Sequence, residues 1–322
     1  MYDFDKIALA TLDGPEAARK GPTVRPSSVP VRTPSPEQER ALRPAREPVR
    51  DNNWTPVLSI VTPTFNSMRY FKETAASVLQ VELPYEWIIV DDCSSDGTVE
   101  YLQSIARSND HVVLLLNDTC VGKPRVNYSR GLNAARGRYV LFLDHDDTIA
   151  SADALARAVD QMRTSDASRV SLMKVAYMDA ASRVYKVKAI PCANYNAKLS
   201  GKRLLWTVLL SPTYPLKQGA VVIDKTLFDE VGHVFDIEFI LAASHRTDFM
   251  LVDDVGLNYR NMRSSLSSGV AIRLKDREGF WMRLIDTYVP NSRFGIKQFF
   301  KSYKWTLGWA KLVYSCVTSK RI

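Results

Sequence analysis

Apolar runs of strand length alternate with segments of helical periodicity between residues 57 and 162. The runs that predict buried strands are Val57–Thr62, Trp87–Asp91, Val112–Leu116 and Tyr139–Leu143. The segments that predict helices are Met68–Gln80, Asp96–Arg107, Arg125–Ala135 and Asp153–Met162. This order of elements predicts an α/β fold, in which helices cover both faces of a Rossmann-like, mostly parallel sheet.

Polar residues follow three of the four predicted strands at the point where each strand ends. They are Pro63, Thr64, Phe65 and Asn66 after the first strand, the run from Asp91 to Gly97 at the second, and Asp144, His145, Asp146 and Asp147 after the fourth. In open parallel sheets ligands bind at the carboxyl ends of the strands. Turn formation or helix capping would explain any one of these groups. Three of them on one edge indicate a binding site.

Asp144 and Asp146 directly follow a strand and are separated by one residue. Two carboxylates in this arrangement offer hard oxygen ligands, which suit Mg²⁺ or Mn²⁺ better than Zn²⁺, with phosphate oxygens filling the remaining positions. In a strict strand alternation His145 points away from both acids, which argues against it as a ligand. Asp147 is expected either to cap the helix that begins near Ser151 or to hold the acidic loop.

Asp91 and Asp92 end a second buried strand, and four carboxylates in one cleft would be too crowded to bind a single ion. One of them is therefore expected to accept hydrogen bonds from a base or a ribose, as strand-end carboxylates do in dinucleotide sites. The glycine fingerprint GxGxxG of those sites is absent. Gly122 and Lys123 do not begin a phosphate-binding Walker sequence either.

The two ends of the chain differ from its middle in composition. Residues 1–53 hold half of the sixteen prolines and nearly balanced charges, which predicts a disordered Pro/Arg-rich arm that serves as a linker or a tether. Residues 271–322 hold eleven basic and three acidic residues, and therefore carry the excess positive charge of a chain whose net charge is +8. Neither the net charge nor any recognised motif indicates a nucleic-acid partner.

The segment 269–322 is predicted to form a basic, aromatic, helical C-terminal region. Ten of the 32 aromatic residues lie between residues 280 and 314, where four lysines would form a stripe beside the aromatic face of a helix. Such a helix could lie on an anionic membrane surface. It could equally pack on the folded domain or on another subunit, which leaves a homo-oligomer open.

No segment of the sequence predicts a secretory signal or a membrane span. The N-terminus lacks a basic stretch followed by an apolar one, and no uninterrupted apolar run reaches about 18 residues. The four cysteines are too dispersed for a zinc site or a dense disulfide framework. We therefore expect a cytoplasmic protein, peripheral at the membrane if its C-terminal helix binds there.

Three motifs resemble those of the family 2 glycosyltransferases, which have the GT-A fold. They are LSIVTPTFNS at the first strand, IIVDDCSSDGT at the second and GRYVLFLDHDD at the fourth. The resemblance runs from about Val57 to Ser268 and implies a GT-A catalytic domain over residues 54–268. It also implies an inverting enzyme of the hexosyltransferase class, which uses a nucleotide-diphospho-sugar donor, usually UDP-linked, and a divalent metal. The acceptor would be a glycan, a lipid-linked molecule or a protein.

The resemblance also assigns roles to individual residues. It implies a base pocket lined by Thr62, Pro63 and Phe65, contacts of Asp91 or Asp92 with the uracil or ribose, and a metal and donor site at Asp144 and Asp146. The diphosphate would be approached by Lys123, Arg125 and, from a basic segment RNMRSSLS, by Arg260 and Arg263. A solvated loop is the alternative interpretation of that segment. Where the family commonly reads ARNxG, this chain reads NYSRG, and Arg130 is the residue that could compensate.

An inverting transfer needs a carboxylate that accepts the proton of the acceptor hydroxyl. The resemblance places this general base at Asp236 in HVFDIEFIL, with Phe239 three residues further on, although Phe235 replaces the Glu that usually precedes the base. Glu238 is the second candidate. Asp236 could instead only cap a helix. A non-catalytic scaffold that binds a nucleotide-sugar through a GT-A fold is the alternative function.

Overall fold

The structure is a computed structural model that describes residues 54–165, 167–190, 197–210, 216–232 and 237–262; within these ranges the side chains of residues 206–210, 237 and 238 are left aside. The predicted arm at 1–53 and the predicted C-terminal region at 269–322 lie outside the described residues. So does residue 268, the predicted end of the catalytic domain. The domain boundaries therefore remain predictions.

The first half of the described chain contains the predicted alternation of strands and helices. Its strands are β1 (Leu58–Thr64), β2 (Tyr85–Asp91), β3 (Val112–Leu116), β4 (Tyr139–Phe142) and the short β5 (Thr148–Ile149). Its helices are α1 (Phe71–Val78), α2 (Thr98–Ser108), α3 (Pro124–Ala134) and α4 (Ala152–Arg163). Every residue of β1, β2 and β4 is buried, as expected for strands that are covered on both faces.

The second half completes the sheet with elements that the apolar pattern did not predict. Its strands are β6 (Ser168–Met178), β7 (Val184–Lys188), β8 (Lys198–Leu199), β9 (Val221–Asp224) and β10 (Asp248–Arg260). Its helices are α5 (Gly201–Leu210), a 3₁₀ turn at Gln218–Ala220, α6 (Thr226–Val231) and α7 (Ile237–Ala243). Among the described helices, none is long and apolar enough to cross a bilayer.

All ten described strands belong to one sheet, whose main order is β3-β2-β1-β4-β9-β6-β10-β5. Strands β1 to β4 are parallel to their neighbours, β9 runs antiparallel between β4 and β6, and β10 is parallel to β6. β7 and β8 pair with β6 and β10 off this path. The predicted mostly parallel α/β sheet is confirmed, and the carboxyl ends of β1, β2, β4, β6 and β10 share one edge.

Two apolar clusters, one including Val61 and Phe142 and the other Ile60 and Leu141, fit the opposite orientations of successive side chains along β1 and β4. α3 lies unusually close to the sheet at Gly131, where an added Cβ would come within 2.3 Å of Val61 Cγ1. Because this close approach fixes the position of α3, it also fixes the side chains that α3 directs toward the end of β4.

Candidate functional site

Asp144 lies two residues beyond the end of β4 and is held there by two other elements. Its Oδ1 accepts hydrogen bonds from the Tyr128 hydroxyl on α3 and from Gln218 Nε2 at 2.7 Å. Gln218 also contacts the Tyr128 hydroxyl at 2.5 Å. The Tyr128 ring packs edge-on against Phe142 of β4, with ring centroids 5.2 Å apart. The carboxylate is thus fixed in orientation while its residue remains partly exposed at the edge.

Asp146 and Asp147 crowd further negative charge beside Asp144. Burial raises the pKa of Asp146, and the nearby charge of Asp144 raises it further, while His145 and Arg260 oppose the shift. The pKa of Asp147 lies well above its ordinary value, because that residue is buried and faces both other carboxylates. Asp144, Asp146 and Asp147 thus bring three carboxylates close together in one loop.

Asp147 holds the acidic loop and does not cap the following helix. Its Oδ1 accepts the backbone N–H of Arg260 at 2.7 Å. The cap of α4 is Ser151, whose Oγ accepts the N–H of Ala154 at 3.1 Å. Of the two roles expected for Asp147, the structure therefore supports the loop-holding one.

Arg260 was expected on a segment that approaches a diphosphate, and the structure corrects this. Its side chain is fully buried at the end of β10, where Nε donates to the Asp146 carbonyl at 2.8 Å and one terminal nitrogen donates to Glu73 at 2.8 Å. The other terminal nitrogen donates to the Asp179 carbonyl and to Ser182 Oγ. Through these contacts Arg260 stabilises the acidic loop, and its guanidinium forms an ion pair with Glu73.

The two acids at the end of β2 are both engaged in hydrogen bonds within the protein. Asp91 Oδ1 accepts from the hydroxyls of Thr64 and Ser94, and its Oδ2 accepts from the N–H of Ser94. These contacts tie the end of β1 to the loop after β2. Asp91 is 1% exposed, which leaves it little surface for a ligand.

Asp92 organises a different loop, the one between β3 and α3. Its Oδ1 accepts from Asn117 Nδ2 and the Val121 N–H, and its Oδ2 accepts from the Gly122 N–H, each at 2.7 Å. Burial alone would raise the pKa of Asp92, but these donors outweigh it, and the pKa is lowered. Asp92 therefore shapes the segment that leads into Lys123.

The three residues predicted to line a base pocket occupy different environments. Thr62 is fully buried, and its hydroxyl accepts a hydrogen bond from Trp87 Nε1 at 3.0 Å, so it lies in the core beneath the edge. Pro63 is also buried within β1. Phe65, one residue beyond β1, is 53% exposed. Of the three, Phe65 is the one whose side chain is exposed at the edge.

The predicted basic residues also separate into two groups. Lys123 and Arg125 are exposed at the beginning of α3, next to the loop that Asp92 holds. Arg130, one turn further along the helix, is 7% exposed and donates to the Leu116 carbonyl and to Asn117 Oδ1 at the end of β3. The side chain of Arg130 therefore stabilises that loop. It is not exposed as a cation that could take the place of the arginine in ARNxG.

The structure does not describe the side chains of the two candidate bases or of Arg263. Asp236 and Arg263 lie outside the described residues, and Glu238 belongs to α7 but its side chain is not described. The helix itself is well anchored through Phe239, whose ring lies 4.7 Å from that of Phe228. Phe228 in turn packs edge-on against Phe142 of β4 at 5.7 Å. A series of aromatic contacts therefore connects α7 with β4, the strand that precedes Asp144.

Sequence reasoning missed Tyr128 and Gln218, the two partners of Asp144. Tyr128 reads as an ordinary apolar position of a helix, and Gln218 belongs to an irregular segment 74 positions from Asp144. No local signal marks either residue. Within the described part of the chain, no set of three His, Cys, Asp or Glu side chains is arranged to hold a metal ion.

The comparisons with known proteins agree with this geometry. Residues 59–222, just over half of the chain, match the family model described as Glycosyl transferase family 2. TuaG of Bacillus subtilis, a glycosyltransferase named for teichuronic acid biosynthesis, is 43% identical over 98 residues, which cover 30% of this chain and 38% of TuaG. A beta-1,3-glucosyltransferase of Campylobacter jejuni, named for GalNAc(5)-diNAcBac-PP-undecaprenol, is 34% identical over 30% of this chain and 31% of its own length. The matched segments thus span only about a third of the length of these relatives.

Solved structures share the fold at low sequence identity. Residues 1–349 of Staphylococcus aureus TarS, solved with UDP-GlcNAc, superpose with a TM-score of 0.56 at 21% identity, over 74% of this chain and 67% of that one. The mannosyltransferase PcManGT of Pyrobaculum calidifontis, solved with GDP-Man and Mn²⁺, gives a TM-score of 0.54 at 16% identity, over 86% of this chain and 79% of that one. Both likenesses concern the fold.

Proposed function

We propose that this chain, which belongs to glycosyl transferase family 2, transfers a hexosyl group from a nucleotide-diphospho-sugar to an acceptor hydroxyl, with inversion at the anomeric carbon. The donor is a UDP-sugar in this proposal. One observation carries it above the others: Asp144 is fixed by Tyr128 and Gln218 at the edge where two further carboxylates meet. That arrangement places concentrated negative charge beside the loops that follow β1 and β2.

The loops after β1 and β2 are the proposed nucleotide site. Phe65 is exposed there and offers an aromatic ring for stacking on the base. Asp92 holds the N–H groups of Val121 and Gly122, and so fixes the segment that presents Lys123 and Arg125. These two exposed cations would face the diphosphate. Asp91 contributes by holding the β1 and β2 loops together.

The acidic loop suits a divalent cation. The raised pKa values of Asp146 and Asp147 reflect burial and mutual repulsion, which a bound cation would relieve. The two hydrogen bonds to Asp144 both go to Oδ1, and Asp146 is partly exposed beside it. Asp144 and Asp146 would hold Mn²⁺ or Mg²⁺, which when bound neutralises the charge that develops on the leaving diphosphate.

Asp236 is the proposed general base, with Glu238 as the second candidate. Asp236 directly precedes α7, and Phe239 of that helix joins the series of aromatic contacts through Phe228 to Phe142. This packing supports a fixed relationship between the start of α7 and the end of β4. A carboxylate there would accept the proton of the acceptor hydroxyl as that oxygen attacks the anomeric carbon.

A nucleotide-sugar screen tests this function without knowledge of the acceptor. The full chain is mixed with UDP-, GDP- and dTDP-sugars, with Mn²⁺ or with chelator, and thermal stabilisation and release of nucleoside diphosphate are measured. We expect one donor to stabilise the chain and to be hydrolysed slowly in a metal-dependent manner. Asp144→Asn should abolish the hydrolysis, whereas Asp229→Asn, which changes an exposed acid on α6, should not.

Two results would contradict the proposal in different ways. Full turnover in chelator would reject the metal role of Asp144 and Asp146 while keeping the transferase. Donor binding without turnover under any condition would favour the non-catalytic scaffold.

A further inference from the structure

Three lysines form a cationic group on the side of the acidic loop away from the proposed nucleotide site. Lys186 and Lys188 belong to β7, and Lys217 precedes the 3₁₀ turn. Lys188 Nζ lies 4.5 Å from the centroid of the Tyr177 ring, and Lys217 Nζ lies 4.0 Å from that of Tyr259. The two rings pack edge-on, with centroids 5.3 Å apart. Lys188 and Lys217 therefore share one tyrosine platform, and Lys186 lies opposite Tyr177 in the pairing of β6 with β7.

Within the described residues, no carboxylate lies at ion-pair distance from Lys186, Lys188 or Lys217. Lys174 and Lys198, in contrast, pair with Asp253 and Asp248. Burial lowers the pKa of Lys188, and repulsion from Lys186 and Lys217 lowers it further. Cations that repel one another gain stability when an anion binds between them.

This lysine group adjoins the acids that the transfer uses. Lys217 is the neighbour of Gln218, which bonds to Asp144. The charge of Lys217 acts on Asp147, and that of Asp147 acts on Tyr177. Phe65, Asp91 and Asp92, in contrast, lie at the ends of β1 and β2.

The strand order separates the two flanks. In the sequence β2-β1-β4-β9-β6, the nucleotide loops lie on one side of the acidic loop at β4, and the lysine group lies on the other. An anion bound at the lysines would therefore belong to the molecule that approaches opposite the nucleotide.

We propose that the acceptor of this enzyme carries a phosphate group, and that Lys186, Lys188 and Lys217 bind this phosphate next to the acidic loop. The inference rests on the proposed transferase function and adds the chemical class of the acceptor. Lysine ammonium groups bind phosphate as point charges and can approach it from several directions. Tyr177 and Tyr259 supply the surface on which two of these ammonium groups are held.

A panel of matched acceptors tests the chemical class. Each alcohol, such as glycerol or a simple sugar, is offered to the full chain with its donor in three forms: free, as a soluble phosphate ester, and joined through diphosphate to a lipid chain. We expect transfer to the phosphorylated forms and at most slight transfer to the free alcohols. Preference for the soluble or for the lipid-joined form identifies the source of the phosphate. Equal use of the free alcohols would overturn the proposal.

Lysine variants test the binding group. In the double variant Lys186→Gln/Lys188→Gln, and in Lys217→Gln, the KM for the phosphorylated acceptor should rise about tenfold or more, while donor affinity measured by calorimetry is kept. Lys202→Gln, an exposed lysine on α5, is the matched control and should change neither quantity. Loss of donor affinity in the lysine variants would assign the cations to the donor diphosphate and overturn the proposal.

These experiments distinguish a wrong acceptor class from a wrong transferase function. A wild-type chain that neither binds nor hydrolyses any nucleotide-sugar contradicts the transferase itself. Donor hydrolysis with no preference for phosphorylated acceptors contradicts only the acceptor class. If the double variant fails to fold, two other measurements test the acceptor class. They are the KM of Lys217→Gln for the phosphorylated acceptor and the salt dependence of that KM in the wild type. Because salt screens a contact between lysine and phosphate, the wild-type KM should rise with salt concentration.

Discussion

The backbone N–H of Arg260 donates to Asp147 Oδ1 at 2.7 Å, and the side chain of the same arginine donates to the carbonyl of Asp146. One residue at the end of β10 therefore fixes two consecutive residues of the acidic loop, 113 positions away. The guanidinium also joins Glu73 on α1 and Ser182 in the turn before β7. The loop that carries the acids thus depends on contacts from both ends of the described sequence.

Replacement of Arg260 should destabilise the fold. Arg260→Ala removes a fully buried guanidinium and leaves the carbonyls of Asp146 and Asp179 without this donor, which should lower the free energy of unfolding by about 3 kcal/mol. Urea unfolding measures the loss. Arg157→Ala is the matched control, because Arg157 forms a half-exposed pair with Asp254, and it should cost at most about 1 kcal/mol. Equal losses in both variants would contradict the supporting role of Arg260.

Removal of the Tyr128 hydroxyl should affect activity more than stability. Tyr128→Phe keeps the ring that packs on Phe142 but withdraws one of the two donors to Asp144. We expect a loss of about 1 kcal/mol in the free energy of unfolding. Because Asp144 is then oriented only by Gln218, transfer should slow by about tenfold or more. Steady-state kinetics and urea unfolding together make the test, with Tyr101→Phe as the control; an unchanged kcat would show that Asp144 does not need this bond.

The parallel part of the sheet could be predicted because its strands are buried on both faces. β1, β2 and β4 are continuous apolar runs, and the helices between them show clear periodicity. β7 and β10 lack that signal. β7 is exposed along most of its length, and β10 carries Asp253, Asp254 and Gly256 where its pairing with β6 shifts register. These two strands form because they pair with β6. The local pattern of apolar residues contains no information about pairing between distant segments.

The site divides in the same way. The acids at the ends of β2 and β4 could be predicted, since strand ends meet at one edge. Their individual roles could not, because these depend on partners distant in sequence: Val121 and Gly122 for Asp92, and Tyr128 and Gln218 for Asp144. Arg260 is the clearest example of a role that the sequence does not predict. In the sequence it begins a basic segment, but in the fold its buried side chain stabilises the acidic loop.

Asp92 should make stability depend on pH in the acid range. Its pKa is lowered in the fold from an ordinary value of 3.8, so the unfolded chain binds the proton more readily than the folded one. The stabilisation is therefore fully present above the ordinary value and is lost as the pH falls toward the lower, folded-state pKa. The difference in free energy of unfolding between the wild type and Asp92→Asn should therefore be largest at neutral pH. It should become smaller below pH 3.8. Urea titrations from pH 7 to pH 3 measure it; a difference independent of pH would contradict the assignment.

Asp236→Asn separates proton acceptance from every other role of that residue. The substitution keeps the shape of the side chain and its capacity to cap α7, which begins at the next residue, but it removes the base. Transfer should therefore fall by about 10²–10⁴-fold, the usual effect of losing a general base. Donor affinity should be unchanged, because the proposed donor contacts lie at Phe65, Lys123, Arg125 and the metal site of Asp144 and Asp146.

The measurement follows both quantities in the same preparation of the full chain, with donor binding by calorimetry and transfer by release of nucleoside diphosphate in the presence of acceptor. Glu238→Gln is the matched control, a carboxylate-to-amide change two residues away, and it should keep transfer. If Asp236→Asn transfers sugar at the wild-type rate and Glu238→Gln does not, the base is Glu238. If neither change slows transfer, no carboxylate at the start of α7 takes the proton, and the inverting mechanism must draw its base from another part of the edge.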